Sequence, residues 1–285
     1  MPPICQPICQ PICQPICQPI CIDRPDDPRI EAYASIRERD LVGRGGRFIA
    51  EGETVLAVLL RQKLHTVESL FILDKRLPFL ADLLALLPGD VPLYTASRAV
   101  MDAIAGFPIH RGVLAVGLRR EHGEVSGFLN ALPRQAVVVA LAGLANHDNV
   151  GGIFRNAAAF GASAVLLDDA SCDPLYRKAI RVSVGGCLAV PFFRTGPVHA
   201  LIDLLAGAGF TVLALSPRGA ETLSALAPPA RAALLLGTEG PGLPDDVLAR
   251  CRTVSIPMHG AFDSLNVATT SGIALHHLTQ HEGRR

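Results

Sequence analysis

Three stretches hold the residue types from which a reaction can be built. The first, Asn146-His-Asp-Asn149-Val-Gly-Gly-Ile-Phe-Arg155-Asn-Ala-Ala-Ala-Phe-Gly161, joins a polar loop to a helix. Gly151 and Gly152 let the backbone approach a partner closely, and the free amides of a helix N-terminus suit an electron-rich group. The second, Leu234-Leu-Leu-Gly237-Thr-Glu239-Gly-Pro-Gly-Leu243, sets a carboxylate among Gly237, Gly240 and Gly242. Such a turn suits an organic ligand held through exposed backbone. The third, Ile256-Pro-Met-His-Gly-Ala-Phe-Asp-Ser-Leu-Asn-Val-Ala-Thr-Thr-Ser-Gly-Ile-Ala-Leu-His-His-Leu278, runs from a strand end through a polar loop into a helix. Asp263 or Ser264 is expected to cap that helix, with Asn266 at its mouth. By periodicity alone this third stretch reads as a capped core helix. Two other chemistries have weaker support. His147 and Asp148 lack the Gly-x-Ser-x-Gly turn that would present a hydrolase nucleophile. Asp168 and Asp169 lie where a dinucleotide site keeps its acid, but Gly143-Leu-Ala-Asn-His-Asp-Asn-Val-Gly-Gly152 is not the G-x-G-x-x-G turn that site requires.

The elements that must position these residues alternate between strand and helix. Strands are expected at Phe48 to Glu51, Ser69 to Leu73, Pro92 to Thr95 and Gly112 to Leu118. Helices are expected at Gly52 to Leu60, Leu77 to Leu87 and Ser97 to Ile104, giving a small layered α/β domain. Residues 121–134 are polar and rich in glycine, and read as a linker with room for a short helix from Ser126 to Ala131. The fully apolar strands Ala136 to Ala142 and Ala164 to Leu167, with a helix from Ile153 to Phe160 between them, form a βαβ unit of a sheet covered on both faces. Helices Pro174 to Val184, Val198 to Ala206 and Asp245 to Cys251 follow. Strands are expected near Leu188 to Phe192 and at Thr211 to Leu215, Ala232 to Leu236 and Val254 to Ile256.

In wording and order, the three stretches resemble the three motifs of the SpoU (TrmH-like) family of RNA ribose 2′-O-methyltransferases. The first resembles N-x-G-x-x-x-R-T-A-x-x-F/L-G, with Asn156 in place of the common Thr and with Asn149 and Arg155 retained. The second matches G-x-E-G-x-G-L, and the third resembles IPM-x-G-x-x-x-SLNV. Arg47-Phe-Ile-Ala-Glu-Gly-Glu53 and His110-Arg-Gly-Val-Leu-Ala-Val116 look like the start and end of the family's N-terminal substrate-binding domain. The resemblance implies an α/β chain with a small L30e-like α/β domain at 23–120, then the linker, then an α/β trefoil-knot methyltransferase domain at 135–285. It implies S-adenosylmethionine as cofactor, with Gly237, Glu239, Ile256, Met258 and Leu265 around its adenosyl part and no metal. Asn149, Arg155, Glu239, Ser264 and Asn266 are then expected at the methyl-transfer site. There Arg155 would lower the pKa of a ribose hydroxyl or stabilise the alkoxide that develops. A homodimer through the C-terminal domain and an RNA substrate, tRNA or rRNA, are also implied. An RNA-binding protein of this fold without transferase activity is the alternative of a different class.

Composition restricts these readings further. With 285 residues, 49% of them hydrophobic, the chain can bury a sizeable core. Lys plus Arg and Asp plus Glu each total 26, so attraction to RNA must come from local clusters of charge. Arg177, Lys178 and Arg181 with Arg155 make one such cluster, and the arginine-rich run holding Arg37 and Arg39 another. Both are expected to touch RNA. No apolar run suggests a membrane span. Residues 1–22 repeat Pro-Ile-Cys-Gln, spacing Cys5, Cys9, Cys13, Cys17 and Cys21 four apart, and read as a low-complexity disordered tail. The tail lacks the basic and apolar regions of a secretory signal, so reduced thiols and a cytoplasmic protein are expected.

Overall fold

The computed structural model describes residues 18–34, 45–106, 109, 111–260 and 264–280. Arg37, Arg39 and Asp263 lie outside them, as does the tail as far as Cys17. In the first half, strands β1 (Ile20–Cys21), β2 (Arg47–Glu51), β3 (Thr66–Leu73), β4 (Leu93–Ala96) and β5 (Val113–Leu118) form one sheet in the order β1-β4-β3-β5-β2. β5 runs antiparallel to both β2 and β3, while β4 is parallel to β3 and β1. Helix α1 (Glu53–Gln62) buries Val55, Leu56, Leu59 and Leu60, a stripe of helical period. The helix expected over Leu77 to Leu87 is instead a 3₁₀ run, Asp74–Leu80, followed by the short α2 (Ala81–Leu84). Pro78 lacks the N–H that an α-helix needs at that point. α3 (Arg98–Ala105) is capped by Ser97, whose side chain accepts from the Val100 amide, and ends at Gly106 in the left-handed region.

The boundary expected for the tail is corrected by β1. Ile20 and Cys21 pair with Tyr94 and Thr95, the Ile22 amide donates to the Thr95 carbonyl at 2.8 Å, and Ile22 is 1% exposed. The last repeat unit ends in Ile22 rather than Gln, and that apolar side chain enters the core. Deleting residues 1–22 should therefore cost about 1.5–3 kcal/mol, the burial of one large aliphatic side chain. A thermal melt identical to that of the full chain would contradict this.

In the second half, α4 (Val125–Ala131) precedes seven strands: β6 (Ala136–Leu141), β7 (Ala164–Leu167), β8 (Phe192–Arg194), β9 (Thr211–Leu215), β10 (Glu221–Thr222), β11 (Arg231–Leu236) and β12 (Arg252–Ser255). They pair in parallel throughout, in the order β10-β12-β9-β11-β6-β7-β8. Helices α5 (His147–Phe160), α6 (Arg177–Val182), α7 (Val198–Gly207), α8 (Asp245–Leu248) and α9 (Val267–Thr279) lie between or after them. α5 begins six residues earlier than expected because the Asn146 side chain accepts from the Asp148 amide and starts the helix there. β8 begins later than expected, since a left-handed Gly185 and a 3₁₀ turn over Gly186–Leu188 take up the chain first. The segment expected as a linker is mostly at the surface and is anchored to the core at one point in α4. Leu129 is fully buried, and Arg231 donates to the carbonyls of Leu129, Leu132 and Pro133.

The two halves share one buried apolar cluster, running from Phe48, Leu56 and Leu59 to Phe154, Ile180 and Leu188. Arg177 pairs with Glu51 and Arg119 with Asp173 across the same junction. His65 is buried there, its Nδ1 accepting the Arg120 amide at 3.3 Å. Burial, then the neighbouring His122 and Arg119, push its pKa down from 6.5 to about 4. An unfolded imidazole takes up a proton below about pH 6.5 and this one does not. The stability tied to His65 is therefore complete above that pH, and falls by about 1.4 kcal/mol per unit between about pH 6.5 and 4. Urea unfolding at several pH values should show a shallower acid slope in His65→Leu. An unchanged slope would assign it to other groups. Among the described residues no helix is long and apolar enough to cross a membrane.

Candidate functional site

β12, β9 and β11 lie side by side, with β6 next to β11, so the loops leaving their C-terminal ends meet. A cleft of about 300 Å³ opens there, lined by Gly237, Glu239, Ile256, Met258, Ser264, Leu265 and Asn266. Leu215, Ser216 and Pro217, at the end of β9, supply a third wall. Gly237 has to be glycine, because a Cβ there would stand 2.7 Å from Leu243 Cγ and 2.9 Å from the Gly242 carbonyl carbon. The turn closes on itself through the Thr238 hydroxyl, which donates to the Gly242 carbonyl at 3.1 Å.

Asn266 ties the three stretches together. Its Oδ1 accepts from the amides of Ala268 at 2.9 Å and Thr269 at 3.2 Å, capping α9. Asn266 is thus the cap expected of Asp263 or Ser264. Those two backbone donors orient the amide, so Nδ2 must point the other way. It donates to Asn149 Oδ1 at 2.9 Å and Glu239 Oε1 at 3.2 Å. Asn149, carried on the first turn of α5, is only 4% exposed, and its Nδ2 has no acceptor among the described residues. One carboxylate and two primary amides are thereby held together beside the cleft, able to orient a polar reactant.

Arg155 is not brought to this cluster. It follows Asn149 by six residues, which at 3.6 residues per turn rotates it about 120° away, and it stands exposed on the outer face of α5. The glycines of the first stretch also serve a different partner from a bound ligand. A Cβ on Gly152 would meet Ala268 Cβ at 2.6 Å, and one on Gly151 would meet the Ala179 carbonyl oxygen at 2.8 Å, so both admit neighbouring helices. Beside them Asn156 Nδ2 donates to the Ala268 carbonyl at 2.6 Å and to Ser271 Oγ at 2.9 Å, locking α5 to the start of α9. The substitution of Asn for Thr marks that position in the sequence without revealing its partner.

The expected basic face is only partly open. Arg177 is turned into its ion pair with Glu51, which has drawn it from the surface, and Lys178 pairs with Asp148 at 2.7 Å. Arg181 is exposed. Asp168 is buried and accepts from the Gly143 amide and from both the amide and hydroxyl of Ser171, so it fastens loops together. That use of Asp168 takes away one of the two acids offered for the dinucleotide alternative, and only the exposed Asp169 is left.

Residues 136–276 match the SpoU rRNA methylase family. An uncharacterized tRNA/rRNA methyltransferase of Mycobacterium tuberculosis is 38% identical over 266 residues, covering 90% of each chain. The 23S rRNA (guanosine-2′-O-)-methyltransferase RlmB of Salmonella typhimurium is 28% identical over 79% of this chain and 94% of its own. In fold the chain is similar to an AdoMet-bound rRNA methyltransferase from Sinorhizobium meliloti, with a TM-score of 0.77 at 22% identity over 93% of this chain and 98% of that one. An RNA 2′-O ribose methyltransferase structure gives a TM-score of 0.74 at 24% identity, over 91% and 98%. The three motif stretches meeting through Asn266 fall within the matched region, but for the last two residues of the third, and the chain belongs to the SpoU rRNA methylase family.

Proposed function

We propose that this protein is an RNA methyltransferase that transfers a methyl group from S-adenosylmethionine to a ribose 2′-hydroxyl of structured RNA, tRNA or rRNA, in the cytoplasm. The observation that carries the reading is the bond pair from Asn266 to Asn149 and Glu239, which joins all three motif stretches beside one cleft. The cleft fits the cofactor. Its volume is at the lower end of the about 300–1,000 Å³ of small-molecule sites, its walls are largely aliphatic, and the glycine turn exposes backbone. Gly237, Glu239, Ile256, Met258 and Leu265 would hold it, and when bound it supplies a sulfonium methyl group open to displacement. Around it, Asn266 fixes the Glu239 carboxylate, and Asn149 presents a buried amide donor. Ser264 lines the same wall.

Arg155 is proposed to stabilise the developing ribose oxyanion from a subunit boundary. It shares the exposed side of α5 with Ala158 and Ala159, and Ile273 on the adjoining α9 is 41% exposed. This small, apolar face suits a homodimer of C-terminal domains. Lys178 and Arg181, with Arg37 and Arg39, are proposed RNA contacts, and Arg177 a strut behind them. The first half is proposed as the L30e-like substrate-binding domain. A threaded chain end is proposed for the second half, supported by Gly219, where a Cβ would stand 2.3 Å from the Val254 carbonyl carbon in the strand beneath it. Calorimetry of the full chain should find one S-adenosylmethionine per subunit. Binding of NAD with none of S-adenosylmethionine would overturn the reading.

A further inference from the structure

We infer a second binding site, for an unpaired nucleotide of the RNA, in a cavity of about 270 Å³ between β8 and residues 119–125. The inference rests on the RNA-methyltransferase reading and adds a place where the substrate is held away from the reacting centre. β8 is the edge strand of the seven-stranded sheet, so its outer side has no strand partner there. The cavity walls are aromatic and cationic. His122 stands edge-on to Phe193 at 6.0 Å and to Phe192 at 6.4 Å, and the Arg119 guanidinium lies 5.4 Å from the Phe192 ring centre.

Three arginines line this space, Arg119, Arg120 and Arg194, against two acidic residues, Glu121 and Asp173. Arg119 is held by Asp173. Arg194 is held by the carbonyls of Asp168 at 2.7 Å and Ser171 at 3.0 Å, which fix the side chain without cancelling its charge. Arg120 is exposed, and its side chain has no ion-pair partner among the described residues. The balance is cationic, which suits a phosphate.

The imidazoles give the cavity its second requirement. His122 Nε2 is buried without a hydrogen-bond partner among the described residues, and so is Nε2 of His65, whose ring lies 5.7 Å behind. Both nitrogens are closed to solvent and His65 does not line the cavity, so what His122 offers a ligand is the face of its half-buried ring. Burial, with the Arg120 charge, holds His122 below the usual histidine range, so at neutral pH its ring is an uncharged aromatic surface. A planar heterocycle fits against the half-buried His122 and Phe192 rings, as unstacked bases do on aromatic and arginine surfaces. A simple anion would leave the phenylalanines unused. Three strand spacings of about 4.8 Å separate β8 from β11, so the site, outside β8, lies more than about 14 Å along the sheet from the Glu239 turn, a span that several linked nucleotides can bridge.

Fluorescence anisotropy of the full chain with an end-labelled, mixed-sequence single-stranded RNA 12-mer tests this, with the same sequence as a blunt duplex in parallel. Arg120→Gln and His122→Ala should each weaken single-strand binding by about 5-fold or more and leave duplex binding nearly unchanged. Calorimetry should find their S-adenosylmethionine affinity unaltered. Arg120 is on the surface, so its variant tests the site even where His122→Ala folds poorly. Unchanged single-strand binding, an equal loss on the duplex, or a loss confined to Arg120→Gln in a folded pair would overturn the inference. If the unsubstituted chain transfers methyl groups while both variants bind RNA normally, this inference alone fails. If the unsubstituted chain binds no RNA, the proposed function fails and takes the second site with it.

Discussion

Replacing Asn266 with alanine should lower the methyl-transfer rate by about 10²- to 10³-fold, the scale seen when one preorganised donor is lost from a reacting centre. Two effects combine in that variant. Helix α9 loses its cap, worth about 1 kcal/mol, and Glu239 and Asn149 lose the amide that holds them together. Asn266→Asp separates them. Aspartate caps a helix about as well as asparagine, so the melting temperature should stay close to that of the unsubstituted chain. Its second oxygen cannot donate, however, and would face the Glu239 carboxylate and the Asn149 carbonyl. Single-turnover kinetics should find Asn266→Asp as slow as Asn266→Ala. A fast, stable Asn266→Asp would reduce the residue to a helix cap.

Arg155→Ala should slow methyl transfer by about 10²-fold or more while S-adenosylmethionine affinity stays constant. The prediction follows from its position. Arg155 is outside the cleft, so it cannot contribute to cofactor binding within its own subunit, and its exposed face is the one proposed to meet a second copy. Removing the charges of Lys178 and Arg181 should act differently, weakening RNA binding and its salt dependence while sparing the rate at saturating RNA. Single-turnover measurements with both substrates saturating distinguish the two roles. A normal rate in Arg155→Ala with only RNA affinity lost would make this residue a phosphate contact.

Much of the fold was legible because apolar runs and breakers are local properties. β7 and β9 fall where the runs Ala164 to Leu167 and Thr211 to Leu215 end, and the glycine turn after β11 follows from Gly237, Gly240 and Gly242. The residues expected around a cofactor, from Gly237 to Leu265, do share one cleft. Facts that depend on strand order were not legible. Nothing in Leu215-Ser-Pro217 signals that β9 lies between β11 and β12 and completes the cleft. Arg177 and Glu51 are 126 residues apart, so their pairing, which removes one member of the basic face, has no local signature. The outward turn of Arg155 had a signal that was available. Asn146 is a strong cap, and starting α5 there sets Asn149 and Arg155 on different sides of the helix.

The central claim is that the cluster around Asn266 transfers a methyl group to a ribose oxygen. Incubating the full chain with tRNA and rRNA and with S-adenosylmethionine labelled in its methyl group, then mapping the label after alkaline hydrolysis, tests it most directly. Label in an alkali-resistant dinucleotide, marking a 2′-O-methylated ribose, is the predicted result, and it should be lost in Asn266→Asp. Label on a base, or no transfer although RNA and S-adenosylmethionine both bind, would contradict it.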